Sequence, residues 1–207
     1  MLFRSGVAGA AAGVKEAAKA IGWKVRVIDG QGTTAGMADA MSQAVTLKPA
    51  GIVVGGFDPA TVKSSIDAAK AAKIPVIGWH AAATSGPQPS LGLYSNVTTL
   101  RADVSKISAD WVIADSKGEG GVVIFTDSSI PFAEGKSQEI KAEIETCPSL
   151  KLLEYANIPI GDSISTLVAS KTTALLAQYG DKWTHSISIN GGLYITPMAA
   201  ALRSAGK

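Results

Sequence analysis

The sequence predicts an α/β fold made of two doubly wound lobes, each with a mostly parallel sheet. Short apolar runs alternate with segments of helical periodicity along the 207 residues. Most of these runs are apolar throughout, which is typical of parallel strands that are covered on both faces. The first run alternates with Lys24 and Arg26, which favours an edge strand. The predicted strands are VRVI (25–28), GIVVG (51–55), IPVIGW (74–79), GVVIF (121–125), LKLLEYA (150–156) and SISI (186–189).

Helical patterns lie between these strands. The chain opens on a small, apolar helical pattern at 7–21, and such a helix usually follows a buried strand. Asp58-Pro59 combines an N-cap residue with proline at the first helical position. Later in the chain, apolar residues spaced three or four apart predict a helix with one apolar stripe. This stripe comprises Leu100, Val104, Ile107 and Trp111.

A segment without periodicity divides the chain. It begins at position 80, carries Gly86, Pro87 and Pro89, and leads into a short crossing strand. We therefore predict a first lobe at 1–92, a hinge crossover at 93–97 and a second lobe at 98–207. Two sheets leave each lobe small for a chain of this length. We accordingly expect the first lobe to lack its first strand and the second lobe to be incomplete.

Composition and charge exclude several classes of protein. With 46% apolar and 17% charged residues, the chain is globular rather than disordered. Its net charge of +2 is dispersed, so we predict no nucleic-acid binding. No apolar run reaches the roughly 18 residues of a bilayer span, so we predict no direct membrane insertion. The single cysteine, Cys147, excludes an internal disulfide.

The sequence carries no pattern typical of catalysis or of metal binding. Its two histidines, His80 and His185, lie far apart, and there is no Gly-x-Ser-x-Gly elbow. One cysteine cannot form a thiolate metal cluster. We therefore predict no enzymatic activity, no cofactor and no metal.

The tripeptide Gly135-Lys136-Ser137 follows the strand at 121–125 and raises the alternative of a nucleotide-binding loop. A phosphate loop of this kind requires a glycine where this chain has Ile130. Pro131 comes next and has no N–H to offer to a phosphate. We therefore favour a helix start with a coincidental Gly-Lys-Ser and keep the nucleotide-hydrolysing enzyme as a rival hypothesis.

Three longer stretches carry motifs of a known family. LKPAGIVVGGFDPATVKSSIDAAKAAKIPVIGWHA (47–81) has a K-P-x-G-I-V strand, an acidic-Pro helix start and an A-x-I-P-V strand. YSNVTTLRADVSKISADWV (94–112) is similar to a crossover between lobes, and SISINGGLYITPMAAALRSAGK (186–207) has an asparagine after a strand. In order and spacing these stretches resemble the periplasmic substrate-binding proteins of sugar ABC transporters, of the ribose-binding type. The resemblance covers 6–207 and implies that the family's first strand and C-terminal strands are missing.

The resemblance implies a function as well as a fold. Such a protein is a solute-binding receptor of an ABC importer and captures a sugar or polyol by hinged closure of two lobes. It acts as a monomer, has the transporter permease as its partner and works in the periplasm or tethered outside the cytoplasmic membrane. The start MLFRS is not a signal peptide. The effector-binding core of a sugar-responsive transcription repressor shares the fold and stays open as an alternative.

Candidate ligand contacts of the first lobe follow predicted strands. Trp79 and His80 end the strand at 74–79, where open α/β sheets bind ligands. An indole face can stack on a sugar, although Trp79 could also be a core residue. His80 offers a donor and an acceptor, or could simply belong to a loop. Asp29 and Asp58 are weaker candidates, and N-capping already explains Asp58.

Candidate contacts of the second lobe come from two places. In the family, the loop after the strand at 121–125 faces the ligand, which implies roles for Phe132, Glu134 and Lys136. Glu134 stands where relatives carry an arginine, and a carboxylate prefers ligand donors to ligand acceptors. Asn190 matches the family's ligand-binding asparagine, although Asn-Gly also favours a turn. Tyr194 is expected to line the same mouth.

Overall fold

The computed structural model describes residues 5–31, 33–55, 58–161 and 163–207. The chain divides into two compact units, Met1–Thr99 (unit 1) and Leu100–Lys207 (unit 2). The helices are α1 (Ser5–Ala20), α2 (Thr34–Thr46), α3 (Lys63–Ala71), α4 (Arg101–Asp115), α5 (Pro131–Ile144), α6 (Ile164–Tyr179) and α7 (Thr196–Ser204). The strands are β1 (Ile52–Gly55), β2 (Val76–Trp79), β3 (Gly86–Gln88), β4 (Leu93–Val97), β5 (Gly120–Thr126), β6 (Leu150–Asn157) and β7 (His185–Ser188). Within these ranges, no helix combines the length and apolar character of a membrane span.

In unit 1 the strands are hydrogen-bonded in the order β1-β2-β4-β3. β1, β2 and β4 are parallel, and the short β3 runs antiparallel to β4. The unit's core joins α2 and α3 to β1 and β2 through side chains such as Met41, Ile66 and Val76. The predicted hinge segment, 93–97, is strand β4 of this sheet, and its part in a hinge motion stays a prediction. Because the parallel strands share one direction, their carboxyl ends lie at one edge of the sheet.

The prediction of a strand at 25–28 is wrong. These residues form no strand ladder, and Val25 and Val27 are exposed by 38% and 53%. A strand is held by backbone hydrogen bonds to a neighbour, whereas the edge strand β1 pairs only with β2 among the described residues. The alternation with Lys24 and Arg26 also leaves too little apolar surface to offset the entropy of an ordered extended segment.

In unit 2 the three strands are all parallel and lie in the order β6-β5-β7. The central strand β5 is apolar from Val122 to Phe125, and these residues have no exposed surface. One face of the sheet packs against α6 and α7, and the other packs against α4 and α5. Helices on both faces of a parallel sheet are what continuous apolar strands predict, so the predicted α/β class is confirmed.

Helix α4 differs from its predicted packing, and helix α1 buries few of its side chains. Leu100, Ile107 and Trp111 are exposed by 69%, 67% and 63%, so the apolar stripe on and before α4 faces solvent. α4 instead packs through Ser105 and Ala109, which are fully buried. In α1, only Ala18 is buried among the side chains that the structure describes. Apolar periodicity therefore marks a face of these helices without identifying the face that is covered.

Candidate ligand-binding edges of the two sheets

In unit 1 the turn after β2 ties the carboxyl ends of β2 and β4 together. His80 adopts a left-handed φ of 49°, and its backbone N–H donates to the carbonyl of Val97 at 3.0 Å. The Nδ1 atom of His80 lies 2.9 Å from the hydroxyl of Thr98. Left-handed backbone is unfavourable for a residue with a Cβ, so these contacts are needed to hold the turn. They fix the imidazole at the edge where β2 ends.

Trp79 presents a half-buried indole at the same edge. Its ring meets the imidazole of His80 edge to face, with centroids 4.8 Å apart and planes at 85°. The indole also lies against Gly55 at the end of β1, where a Cβ would stand 3.0 Å from Cε3 of Trp79. No described residue accepts a hydrogen bond from its indole N–H. A braced and partly exposed ring of this kind can stack on an apolar face and donate one hydrogen bond.

The two candidate aspartates of unit 1 have local roles. Asp29 is exposed, and its Oδ1 accepts the backbone N–H of Gln31 at 2.8 Å. Asp58 caps a 3₁₀ turn, because its Oδ1 accepts the backbone N–H of Ala60 at 2.9 Å. Both contacts are typical of aspartate in turns. These interactions explain the two residues without a ligand, and ligand contact by either stays a prediction.

In unit 2 a polar network joins the loops that follow β5 and β6. Asn157 ends β6, accepts the backbone N–H of Ser128 at 2.9 Å and donates to the hydroxyl of Ser128 at 2.7 Å. Asp127 is buried and accepts the backbone N–H groups of Ser129 and Ile160 at 2.9 and 2.7 Å. Neither Asp127 nor Asn157 was among the predicted site residues. Asn157 directly follows the predicted strand at 150–156 and Asp127 lies two residues after the one at 121–125, so their positions after strands were a usable signal.

Glu134 lies in the first turn of α5 and is held by two donors. The hydroxyl of Tyr155, on β6, donates to Oε2 of Glu134 at 3.0 Å. The side-chain amide of Gln138 donates to Oε1 at 2.6 Å. A carboxylate is also favoured at a helix N-terminus by the helix dipole. Glu134 is half-buried, so its carboxylate is fixed in direction and keeps contact with solvent.

Lys136 lies two residues further along α5 and is also half-buried. Burial lowers the pKa of its ammonium below the usual 10.5. No described carboxylate lies within ion-pair distance of it. Phe132, in the first turn, is half-buried as well. The beginning of α5 therefore carries an apolar ring, an oriented acceptor and a partly desolvated cation.

The Gly-Lys-Ser tripeptide lies inside α5 and not in a loop. The helix already begins at Pro131, and Ser137 is fully buried. At Gly135 an added Cβ would stand 2.3 Å from Nη1 of Arg101, whose Nε and Nη2 donate to Oε1 of Glu139 at 2.9 and 2.7 Å. The glycine thus leaves room for an arginine of α4. Backbone N–H groups inside a helix cannot cradle a phosphate, which argues against a nucleotide site here.

Asn190 and Tyr194 both follow β7 and have different environments. The side-chain oxygen of Asn190 accepts the backbone N–H of Leu193 at 3.1 Å and caps a π-helical turn, Gly191–Ile195. Tyr194 is fully buried, and its hydroxyl donates to the carbonyl of Ile158 at 2.7 Å. Burial and then the charge of Asp127 raise the pKa of Tyr194. Tyr194 therefore lies in the core of unit 2 and does not line a mouth.

The candidate residues fall into two groups, one at the sheet edge of each unit. Trp79 and His80 are in contact in unit 1, whereas Phe132, Glu134 and Lys136 share the beginning of α5 in unit 2. Asn190 belongs to the loop after the neighbouring strand β7. In the part of the chain that the structure describes, no group of three His, Cys, Asp or Glu side chains could hold a metal ion. The two edges offer hydrogen-bonding and aromatic groups, which suit the binding of a ligand.

The sequence profile of the periplasmic binding protein domain family matches residues 5–207, and the chain therefore belongs to that family. No curated protein sequence matches the chain significantly. Sugar ABC transporter binding proteins among solved structures share the fold. Their similarity to this chain is structural and not close in sequence.

Three of these structures illustrate the likeness. An ABC transporter solute-binding protein from Agrobacterium vitis with bound allitol is 19% identical, with a TM-score of 0.78 over 93% of this chain and 64% of its own. The arabinose-transporter binding protein of Shewanella sp. ANA-3, bound to L-arabinofuranose, is 18% identical, with a TM-score of 0.77 over 93% and 63%. A sugar ABC transporter protein from Yersinia enterocolitica is 20% identical, with a TM-score of 0.78 over 94% and 57%. The chain thus spans less than two thirds of their lengths.

Proposed function

We propose that the chain is the solute-binding receptor of an ABC importer and captures a sugar or polyol without catalysing a reaction. The observation that carries this proposal is the partly exposed indole of Trp79, braced by His80 and Gly55 at the carboxyl edge of a parallel sheet. Ligands of open α/β folds bind at this edge, and aromatic faces stack on sugar rings. Allitol and L-arabinofuranose bound to proteins of the same fold support the choice of ligand class.

Hinged closure of two lobes supplies the mechanism. The ligand first occupies one lobe, and the other lobe then closes about the 93–97 crossover. Trp79 covers an apolar face of the ligand, while Glu134 accepts and Asn190 donates hydrogen bonds to its hydroxyls. Phe132, Lys136 and His80 complete the lining. These groups replace the hydration shell of the ligand, so the ligand shifts the equilibrium towards the closed form.

The permease of the importer is the protein partner in this proposal. A receptor of this kind works in the periplasm or is tethered outside the cytoplasmic membrane, as a monomer. Only the closed form would present both lobes in the arrangement that the permease recognises. The transporter thereby distinguishes the loaded receptor from the empty one.

A thermal-shift screen against neutral sugars and polyols, including allitol and arabinose, tests the proposal. A binder at a concentration of 100 Kd stabilises the folded chain by about 2.7 kcal/mol and so raises its melting temperature. Trp79→Ala should abolish this shift. Trp23→Ala is the matched control, because Trp23 is 65% exposed in the same unit and should leave the shift unchanged. A screen without any binder, or full affinity in Trp79→Ala, would overturn the proposal.

A further inference from the structure

The Glu134 carboxylate already has two protein partners, and both are donors. Tyr155 reaches Oε2 at 3.0 Å from β6, and Gln138 reaches Oε1 at 2.6 Å from the next turn of α5. A carboxylate offers about two lone-pair positions on each oxygen, so each oxygen can accept one more hydrogen bond. A further partner of Glu134 must therefore also be a donor.

Tyr155 is the more constrained of these two donors. Its ring packs against the core between the sheet and the helices α4 and α5, whereas Gln138 is exposed. Burial, then the hydrogen bond to Glu134 and its charge, raise the pKa of Tyr155, so the hydroxyl keeps the proton that it donates. The hydroxyls of Ser137 and Thr126 have a smaller effect on this pKa, in the opposite direction.

We infer that Tyr155 is a positioning residue that fixes Glu134 as a directed acceptor, and that unit 2 thereby selects a neutral polyhydroxyl ligand over an acidic sugar or a sugar phosphate. The inference rests on the proposed function, because it names the chemistry that such a receptor recognises. A ligand hydroxyl can donate to the remaining lone pair of Glu134. A ligand carboxylate or phosphate would place like charges together.

Lys136 is the charged group of α5 that would favour the opposite class of ligand. Its ammonium is half-buried, and no described carboxylate pairs with it. An acidic ligand would be attracted to Lys136 but repelled by Glu134. A neutral ligand can donate to Glu134 through one hydroxyl and accept from Lys136 through another, since each hydroxyl both donates and accepts. A neutral polyhydroxyl ligand can therefore satisfy both charged groups, whereas an acidic one can satisfy only Lys136.

Isothermal titration calorimetry of the whole chain with a fixed set of probes tests this inference. The set contains allitol, arabinose and galactose as neutral probes, glucosamine as an amino sugar, and galacturonate and glucose 6-phosphate as acids. We expect a neutral probe to bind most tightly. Tyr155→Phe should weaken its binding on the order of tenfold, the effect of one hydrogen bond to a charged group. In a Glu134→Ala background, the same change should have almost no further effect, because Tyr155 acts through Glu134.

Tyr179→Phe is the matched control for a general loss of stability. The Tyr179 hydroxyl also contacts a glutamate, Glu154, at 3.3 Å, and it donates to the carbonyl of Leu153 at 2.7 Å. The substitution thus removes the same chemistry from the same unit, and binding should change less than twofold. An alkaline spectrophotometric titration checks the positioning contact without a ligand. Glu134→Ala should lower the pKa of Tyr155.

The possible outcomes separate the inference from the proposed function. If no probe binds, the proposed function and the inference both fail. If an acidic probe binds most tightly, the selection of a neutral ligand is wrong while the receptor stands. If glucosamine binds most tightly, the ligand group that donates to Glu134 is an ammonium and not a hydroxyl. The selection of a neutral ligand would then be wrong. A Tyr155→Phe effect that persists in Glu134→Ala would show that Tyr155 does not act through Glu134.

Discussion

Replacing Gly135 by alanine tests how α4 and α5 are held together. The new Cβ would stand 2.3 Å from Nη1 and 2.7 Å from Cζ of Arg101. The guanidinium must then move, and it loses its hydrogen bonds from Nε and Nη2 to Oε1 of Glu139, at 2.9 and 2.7 Å. The end of an arginine side chain is flexible. The substitution should therefore break these bonds and leave the backbone in place.

Two opposing contributions set the size of the effect. Alanine is favoured over glycine inside a helix by about 0.5–1 kcal/mol. Arg101 and Glu139 are 28% and 32% exposed, so solvent screens their ion pair only in part. Its two charge-assisted hydrogen bonds contribute about 2–3 kcal/mol together after this screening. Gly135→Ala should therefore lower the free energy of unfolding by about 1–2 kcal/mol.

Urea unfolding, followed by tryptophan fluorescence, measures this difference. The same substitution in an Arg101→Ala background is the control, because no guanidinium is then displaced. In that background Gly135→Ala should raise the free energy of unfolding by about 0.5–1 kcal/mol, from helix propensity alone. A Gly135→Ala protein as stable as its parent would refute the reasoning. An equal loss of stability in both backgrounds would refute it as well.

Two further substitutions test polar groups of unit 2, one fully buried and one half-buried. Tyr194→Phe leaves the carbonyl of Ile158 without its hydroxyl donor and should lower the free energy of unfolding by about 1–3 kcal/mol in urea. Tyr94→Phe, at a residue that is 72% exposed, should have no measurable effect, and equal losses would contradict the prediction. Lys136→Met should raise the melting temperature at neutral pH, because a folded-state pKa below 10.5 makes the charged lysine destabilising there. This gain should shrink as the pH rises towards 10.5, and a gain independent of pH would show that desolvation of the charge is not its cause.

Strand positions in unit 2 could be predicted from the sequence because burial on both faces leaves a distinct pattern. The predicted run at 121–125 lies within β5, where residues from Val122 to Phe125 are fully buried. The run at 25–28 failed because a strand also needs a partner, and the pattern of one segment does not say whether its neighbour is present. The apolar stripe of α4 did not mark the buried face of the helix for a related reason. Small residues such as Ser105 allow close approach to α5 and leave the larger side chains exposed.

The site was predictable where a residue follows a strand directly and less so where a helix intervenes. Trp79 and His80 lie at the end of β2, as their positions in the sequence predict. Tyr194 lies within a π-helical turn, Gly191–Ile195, and is fully buried there. Such a turn is wider than an α-helical turn, so α-helical spacing does not give the direction of its side chains. No feature of the sequence signalled that turn.

The hydrogen bonds that Glu134 and Asn190 already make restrict what unit 2 can offer to a ligand. The side-chain oxygen of Asn190 is used by the N–H of Leu193, so its remaining capacity is mainly that of a donor. Glu134 is an acceptor held by two donors. One donor and one acceptor at the same sheet edge match a hydroxyl group, which donates and accepts at once. A ligand that carries only acceptors would accept from Asn190 but would place an acceptor against the Glu134 carboxylate. This mismatch is the physical reason to expect selection of a neutral polyol.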